Sequence, residues 1–266
     1  MSNSTQLPPL RRRDLKNLQL TPIHRARNWS KADVSLLEWP VGSGNQLVIK
    51  DFAKRPLWFR FLLARGLMRR EWRTLRALQD MEQVPTAHFR VDADAFLMDY
   101  CQGEQICNVA ESEMPAGLTS AIDTLVKTIH ERGVTHGDLH SNNVLIGGDT
   151  HGFALIDWAT ACYFGPNPRG WRKVLFRELA ALDDRAVAKM KVHYHPASLT
   201  ERQRDLLLNG GSTIYRGFKK LRYFFERLRG KDKRAHRASI IKSYKARLEQ
   251  HAEIQPQSAN NQDQHI

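Results

Sequence analysis

The segment from Val134 to Ile146, VTHGDLHSNNVLI, places several polar side chains directly before a short apolar run. That apolar run is typical of a buried strand, and polar clusters before such strands are often simple turns. Here, however, Asp138 is followed five residues later by Asn143. A carboxylate that accepts a hydroxyl proton, with an amide oxygen that binds Mg²⁺, forms the core of a phosphoryl-transfer site. The segment therefore favours phosphoryl-transfer chemistry with Asp138 as the base.

A further acid, Asp157, ends the apolar segment FALID. We predict strands at 144–146 and 153–156, joined by the turn GGDTHG, and this hairpin would return Asp157 to the end where Asn143 lies. Carboxylate and amide oxygens suit Mg²⁺, a hard cation that also keeps waters and phosphate oxygens as ligands. The pattern therefore predicts that Asn143 and Asp157 bind magnesium.

Lys50 ends the strand LVIK, and Glu71 lies on a helix predicted from about Leu67 to Gln79. Glu71 shares one helix face with apolar residues, namely Leu67, Leu75 and Leu78. A carboxylate on a buried face is destabilising without a partner, and Lys50 is the natural one. Such a pair would aim the ammonium at phosphate oxygens. An exposed lysine at a strand end and a solvated helix acid remain as alternatives.

The elements that position these residues change in type along the chain. Strands are predicted at 34–39, 46–52 and 95–100, and helices at LTSAIDTLVKTIHERG, 171–192, 200–208, 213–229 and 236–250. This order predicts an α+β fold with a small antiparallel-sheet lobe followed by a helical lobe. We expect a flexible basic arm at 1–25, lobes at 26–98 and 99–250, and a disordered polar tail at 251–266.

The net charge of +13 is unevenly distributed. Between Arg216 and Arg247 there are 13 Lys or Arg residues against two acids, Glu226 and Asp232. Such a block favours an anionic partner, which could be nucleic acid, phospholipid or a phosphorylated glycolipid. A solvated helix face is the alternative interpretation.

The termini and cysteines indicate a cytoplasmic chain. The N-terminus lacks the apolar h-region of a secretory signal, and no apolar stretch reaches membrane-spanning length. The three cysteines, Cys101, Cys107 and Cys162, lack metal-binding spacing, so reduced thiols are expected. His193 and His195 have no third ligand nearby in the sequence and are interpreted as loop histidines.

Together, the motifs resemble the protein-kinase-like superfamily over about residues 30–190. The segment VIK contains the lysine that this family has on a strand, and Glu71 corresponds to its helix glutamate. HGDLHSNN stands at the position of the catalytic loop, and IDW at that of the metal-binding aspartate. The resemblance implies a two-lobed fold with ATP between the lobes. It also implies that MDYCQG is the hinge, with the backbone of Asp99 and Cys101 contacting adenine.

Several positions depart from the pattern of regulated protein kinases. Gly137 replaces the arginine that follows the loop histidine, and Trp158-Ala159 replace Phe-Gly after the metal aspartate. His140 stands where protein kinases usually have lysine, and it is expected to contact the transferred phosphoryl group. The loop HGDLH is similar to that of aminoglycoside, choline and sugar kinases. A phosphate-covering loop is expected near 27–33, although this stretch contains no glycine.

The chain resembles the lipopolysaccharide kinase family, which phosphorylates Kdo or heptose of the inner core. The resemblance lies in its short length, its HGDLHSNN and LIDWA segments and its basic C-terminal part. This resemblance implies ATP and Mg²⁺ as cofactors and a glycolipid acceptor at the anionic inner face of the inner membrane. The alternatives are an atypical Ser/Thr protein kinase and a membrane-associated pseudokinase scaffold. A nucleic-acid partner is not expected, because YRGFKKLRYFFERLRG contains no recognised nucleic-acid motif.

Overall fold

The computed structural model describes residues 7–24, 31–147, 152–210, 239 and 242–249. The strands are β1 (Thr21–His24), β2 (Asp33–Glu38), β3 (Gln46–Asp51), β4 (Ala87–Arg90), β5 (Ala95–Asp99), β6 (Glu104–Gln105), β7 (Val134–Thr135), β8 (Val144–Ile146), β9 (Phe153–Leu155) and β10 (Cys162–Tyr163). The α-helices are α1 (Leu57–Phe59), α2 (Arg65–Ala77), α3 (Leu118–Glu131), α4 (Gly170–Tyr194) and α5 (Glu201–Asp205), with π-helical turns at Arg60–Ala64 and Leu206–Gly210. Residues 242–249 are helical as well.

The chain divides into two compact units. The first, which we call the sheet unit, contains Met1–Asn108 and Asn142–Tyr163, and the second, the helical unit, contains Val109–Ser141 and Phe164–Ile266. The expected α+β class is confirmed, since a small antiparallel sheet comes early in the chain and helices predominate later. The lobe boundaries of 26–98 and 99–250 remain a prediction.

The sheet of the first unit has the strand order β1-β2-β3-β5-β4, and all its neighbouring strands are antiparallel. β3 lies in the middle, where Lys50 pairs with Val34 of β2 and with Phe96 of β5. Its residues from Leu47 to Lys50 are all buried. The continuous apolar run of this strand therefore reflects its central position, and Lys50 is buried with it.

Residues 7–18 pack against the sheet and residues 21–24 form its edge strand β1, whereas the sequence suggested a flexible arm at 1–25. Leu10 and Leu15 are buried in one cluster with apolar residues of the sheet, Leu37, Leu47, Ile49, Ala95 and Leu97. Arg12 forms ion pairs with Asp51 and Asp92. The segment is held because apolar contacts and paired charges outweigh the entropy of ordering it, and its short irregular pattern did not reveal this.

The helix that carries Glu71 begins earlier than the predicted Leu67. A helical run starts at Leu57, directly after Pro56, continues through the π-helical turn and becomes α2 at Arg65. Proline before the first turn suits a helix start because its missing N–H would have no intrahelical partner. The early part escaped prediction because most of its apolar side chains are exposed and form no single buried stripe.

In the helical unit, α3 ends at Glu131, shortly before Gly133, which has φ of +73°. A side chain at this position would place Cβ 1.7 Å from the carbonyl oxygen of Gly165, so only glycine fits. Further along, α4 and the helical residues after it form a core cluster of Ala188, Val192, Leu207 and Leu248. The predicted helices 171–192 and 200–208 correspond to α4 and to α5 with its π-helical turn.

The predicted helix 213–229 and the tail 251–266 lie outside the described residues. The same holds for most of the basic block between Arg216 and Arg247, and for the first part of the expected phosphate-covering loop at 27–33. Within the described part of the chain, no helix has both the length and the apolar character needed to cross a membrane.

Candidate active site

The structure brings Lys50 and Glu71 together in the interior of the sheet unit. Lys50 Nζ donates a hydrogen bond to Glu71 Oε1, which joins the central strand β3 to helix α2. Only 7% of Lys50 and 4% of Glu71 are exposed. Two charges at this depth are retained only when each compensates the other, so the pair orients both side chains.

The ammonium of Lys50 also lies near Asp157. The distance from Lys50 Nζ to Asp157 Oδ1 is 3.9 Å, and about half of the Asp157 side chain is exposed. Asp157 has φ of +60°, and it is the only non-glycine residue with positive φ in the described part of the chain. Such conformations are unfavourable for residues with a side chain and are found mainly where function or packing demands them.

Asn143 lies at the same end of the hairpin as Asp157. Strands β8 and β9 pair with Val144 opposite Leu155, and the N–H of Ile156 donates to the carbonyl oxygen of Asn143 at 2.9 Å. Asn143 therefore lies opposite the residue before Asp157. Its side chain is buried, with 6% of the residue exposed.

These two residues have the donor chemistry of a magnesium site. A carboxylate and an amide oxygen are hard ligands, and Mg²⁺ commonly takes only one or two protein oxygens, together with phosphates and waters. Among the described residues, no group of three or more His, Cys, Asp or Glu side chains could hold a metal ion. A carboxylate and an amide oxygen fit an ion that also takes phosphate oxygens and waters as ligands.

Asp138 and His140 belong to the helical unit. The distance from His140 Nε2 to Asp138 Oδ2 is 3.8 Å, and both side chains are about half exposed. Asp138 follows Gly137, whose φ of +79° favours glycine over the arginine found in regulated protein kinases. Both polar side chains are thus accessible to a substrate.

A buried acid that we did not predict, Asp183 of α4, holds the backbone before Asp138. Its Oδ2 accepts from the N–H of His136 at 2.8 Å, and its Oδ1 accepts from the N–H of Gly137 at 2.9 Å. His130 Nε2 lies 3.2 Å from the same carboxylate, of which 1% is exposed. The only sequence signal was the pair Asp183-Asp184 inside a predicted helix, which does not distinguish a buried acid from a solvated one.

The predicted hinge lies at the end of β5, with Asp99 as the last residue of the strand and Cys101 just beyond it. The N–H of Asp99 donates to the carbonyl oxygen of Thr86, and the Asp99 carboxylate accepts from the N–H of Thr86 and lies 2.5 Å from His88 Nε2. Burial alone would raise the pKa of Asp99, but these hydrogen bonds outweigh it and the pKa is lowered. Burial raises the pKa of Cys101 to about 12, so its thiol stays protonated at neutral pH.

The two histidines that could have suggested a metal pair have other contacts. His193 Nδ1 lies 2.6 Å from Arg247 Nη1, and its Nε2 lies 3.6 Å from Glu111. His195 Nδ1 lies 3.3 Å from the hydroxyl of Thr119. Both histidines therefore have roles in the packing of the helical unit.

The comparison with protein families finds a match to the phosphotransferase enzyme family (APH) over residues 59–165. The matched region includes Glu71, Asp138, Asn143 and Asp157, and it begins after Lys50. The similarity extends over both the helix that carries Glu71 and the loop that carries Asp138. It indicates a phosphotransferase of the kinase type.

Proposed function

We propose that this protein transfers the γ-phosphoryl group of ATP to an alcohol, with Asp138 as the base. The observation that carries the proposal is the buried pair of Lys50 and Glu71, whose ammonium also lies 3.9 Å from the half-exposed Asp157. A lysine fixed at one side by a buried acid is suited to hold phosphate oxygens without a change in orientation. The family match supports the same chemistry.

In this proposal Asp138 takes the proton of the acceptor hydroxyl as its oxygen bonds to the γ-phosphorus. The bond from that phosphorus to the β,γ-bridging oxygen breaks, and ADP leaves with the electron pair. His140 contacts the transferred group, and Lys50 holds the α- and β-phosphate oxygens. At the hinge, the carbonyl of Asp99 and the N–H of Cys101 contact adenine.

Asn143 and Asp157 would hold Mg²⁺, which neutralises phosphate charge when bound. Their hard oxygen donors at one end of the hairpin support this assignment. The left-handed backbone at Asp157 would fix the direction of its carboxylate. The orientation of the metal ligands is then set by the chain itself.

For the acceptor, we propose an inner-core sugar of lipopolysaccharide, Kdo or heptose, on the basis of the resemblance of the HGDLHSNN and LIDWA segments. The net charge of +13 supports an anionic glycolipid in an anionic membrane surface as partner. A protein substrate is the second candidate. The glycine-free stretch 27–33 is the one feature that favours a scaffold without activity.

The central test is the substitution Asp138→Asn. An amide cannot accept the hydroxyl proton, so we expect transfer to fall by about 10²- to 10⁴-fold while nucleotide binding stays unchanged. Phosphate transfer from radiolabelled ATP and binding of a fluorescent ATP analogue measure the two quantities. Asp205→Asn, at an exposed acid of the same unit, is the matched control and should leave both unchanged. Transfer by Asp138→Asn within a few-fold of wild type would exclude Asp138 as base.

The acceptor is tested by offering radiolabelled ATP with lipopolysaccharide fractions, protein mixtures and small alcohols in parallel. Label in the lipopolysaccharide fraction is the expected result. Label in protein alone would favour the protein-kinase alternative. Binding of ATP without transfer to any acceptor would favour the scaffold.

A further inference from the structure

A short helical segment of the sheet unit exposes an unusual number of large apolar side chains. We call residues 57–63 the apolar ridge; its exposed members are Leu57, Trp58, Phe61, Leu62 and Leu63. Each of these five residues has between 51% and 75% of its surface exposed. Single exposed apolar residues are common on proteins, but a contiguous set of this size marks an interaction surface.

The ridge is held firmly from its inner side. Phe59 and Ala64 are buried, and the ring of Phe59 lies 6.0 Å from that of Phe52. Arg60 and Arg65 both bind the buried carboxylate of Asp94. The exposed side chains are therefore presented by an anchored helix and not by a loose segment.

The surroundings of the ridge are strongly cationic. Residues 54–76 contain eight Lys or Arg and one acid, Glu71, which is buried against Lys50. The exposed cations of this stretch are Lys54, Arg69, Arg73 and Arg76. The three arginines recur at four- and three-residue spacing and so lie on one face of α2. An apolar surface with a cationic border results.

We propose that the apolar ridge enters the headgroup region of an anionic phospholipid bilayer, with the neighbouring cations on the lipid phosphates. Interfacial helices combine apolar residues, often including tryptophan, with Lys or Arg at their borders, and anionic lipid adds attraction for each cation near the surface. The idea extends the proposed function by assigning the membrane contact to a specific element.

The charge distribution favours a bilayer over a second copy of this chain. Two copies that met through their ridges would bring two cationic borders together, and apposed like charges oppose association. An anionic bilayer instead complements the cations while it covers the apolar side chains. The ridge and its border thus require the same partner.

Vesicle co-sedimentation tests the assignment with a matched pair of variants. We expect the wild type to bind vesicles of phosphatidylcholine with phosphatidylglycerol much more strongly than phosphatidylcholine alone. Phe61→Ser with Leu62→Ser should weaken that binding by about tenfold or more. The control is the double variant Val174→Ser with Leu175→Ser, which changes two exposed apolar residues beside other cations on α4. Its binding to the anionic vesicles should stay within about twofold of wild type.

Tryptophan quenching by brominated lipid gives a second readout that does not depend on folding of the serine variants. Trp58 and Trp171 are both exposed, at 53% and 73%. Quenching by anionic brominated vesicles should be largely lost in Trp58→Phe and retained in Trp171→Phe. The reverse result, or equal loss in both variants, would overturn the proposal.

Further outcomes separate this inference from the proposed function. Equal weakening by the two serine pairs, or wild-type binding that is indifferent to phosphatidylglycerol, would overturn the assignment of the ridge. So would a dimer in solution that Leu62→Ser dissociates. ATP binding by the wild type distinguishes the two ideas, because a wild type that binds ATP but not anionic vesicles would refute only the membrane contact. Vesicle binding without ATP binding would refute only the kinase proposal.

Discussion

Each unit of the molecule contains a buried lysine paired with a carboxylate on another element. In the sheet unit Lys50 binds Glu71, and in the helical unit Lys191 of α4 binds Asp123 of α3 at 2.6 Å. Lys50 has 7% of its surface exposed, and Lys191 has 2%. Burial and pairing alone make the two pairs look equivalent.

The two ion pairs differ in the other polar groups that lie near each lysine. Lys191 Nζ also donates to Gln203 Oε1 at 3.2 Å, and Asp123 accepts from Lys127 as well. Burial alone would raise the pKa of Asp123, but the hydrogen bonds and positive charges of Lys191 and Lys127 together outweigh it, so the pKa is lowered. Lys50, by contrast, has near it Asp157, a half-exposed carboxylate in a strained conformation. A buried ion pair is thus evidence of structure, and the accessible acid beside it is what points to a site.

The largest difference between the two buried pairs is expected in phosphate transfer, when Lys50→Met is compared with Lys191→Met. Removal of the ammonium should lower phosphate transfer by about 10²- to 10³-fold per folded molecule, since preorganised charge is lost at the transferred phosphates. Lys191→Met should stay within a few-fold of wild type in the same assay. Steady-state kinetics, corrected for the folded fraction by circular dichroism, measure both. An equal loss in the two variants would remove the functional distinction between the lysines.

The ion pair of Lys191 with Asp123 should contribute to the free energy of unfolding. Lys191→Met leaves Asp123 buried with only its exposed neighbour Lys127, so we expect a loss of about 3 kcal/mol in unfolding free energy. Urea denaturation followed by fluorescence measures it. A loss below about 1 kcal/mol, as is typical of surface pairs, would mean that Asp123 is solvated despite its burial.

The coupling of Lys50 and Glu71 can be measured by a double-mutant cycle. Glu71→Gln should lower transfer because the lysine loses its orienting partner, yet it should add little in the presence of Lys50→Met. The coupling energy is expected within about 0.5 to 3 kcal/mol. Additive losses would show that the two side chains act independently in the working enzyme.

A third set of buried or half-buried charges, at Asp92 and Asp94, should affect stability and its dependence on pH. Burial alone would raise the pKa values of Asp92 and Asp94. Arg12 and backbone N–H groups at Asp92, and Arg60 and Arg65 at Asp94, together outweigh burial through hydrogen bonds and charge, so both pKa values are lowered. Their stabilisation is therefore complete above the ordinary pKa of 3.8 and is lost as pH falls through the lowered values.

Asp94→Asn should flatten this acid dependence and lower stability at neutral pH. Unfolding free energy measured from neutral to acidic pH tests the expectation. A curve for Asp94→Asn that runs parallel to wild type would show that the carboxylate does not contribute through its charge.

The sequence by itself determined much of the candidate site, because the relevant residues are ordered by local patterns. Lys50 lies in a predicted strand, Glu71 interrupts an apolar helix face, and the hairpin returns Asp157 toward Asn143. Strand alternation, helical periodicity and turn composition are short-range properties that the chain displays directly. The roles of these residues in catalysis stay predictions that the variants above address.

Tertiary structure alone decided which distant polar groups meet. Asp183 holds the loop before Asp138 from 46 and 47 residues away, and nothing in its helix distinguishes it from a solvated acid. Long-range packing also placed residues 7–18 on the sheet and left the apolar ridge exposed. Periodicity shows that a residue is apolar or charged, but burial depends on what the rest of the chain brings against it, and that is a property of the whole fold.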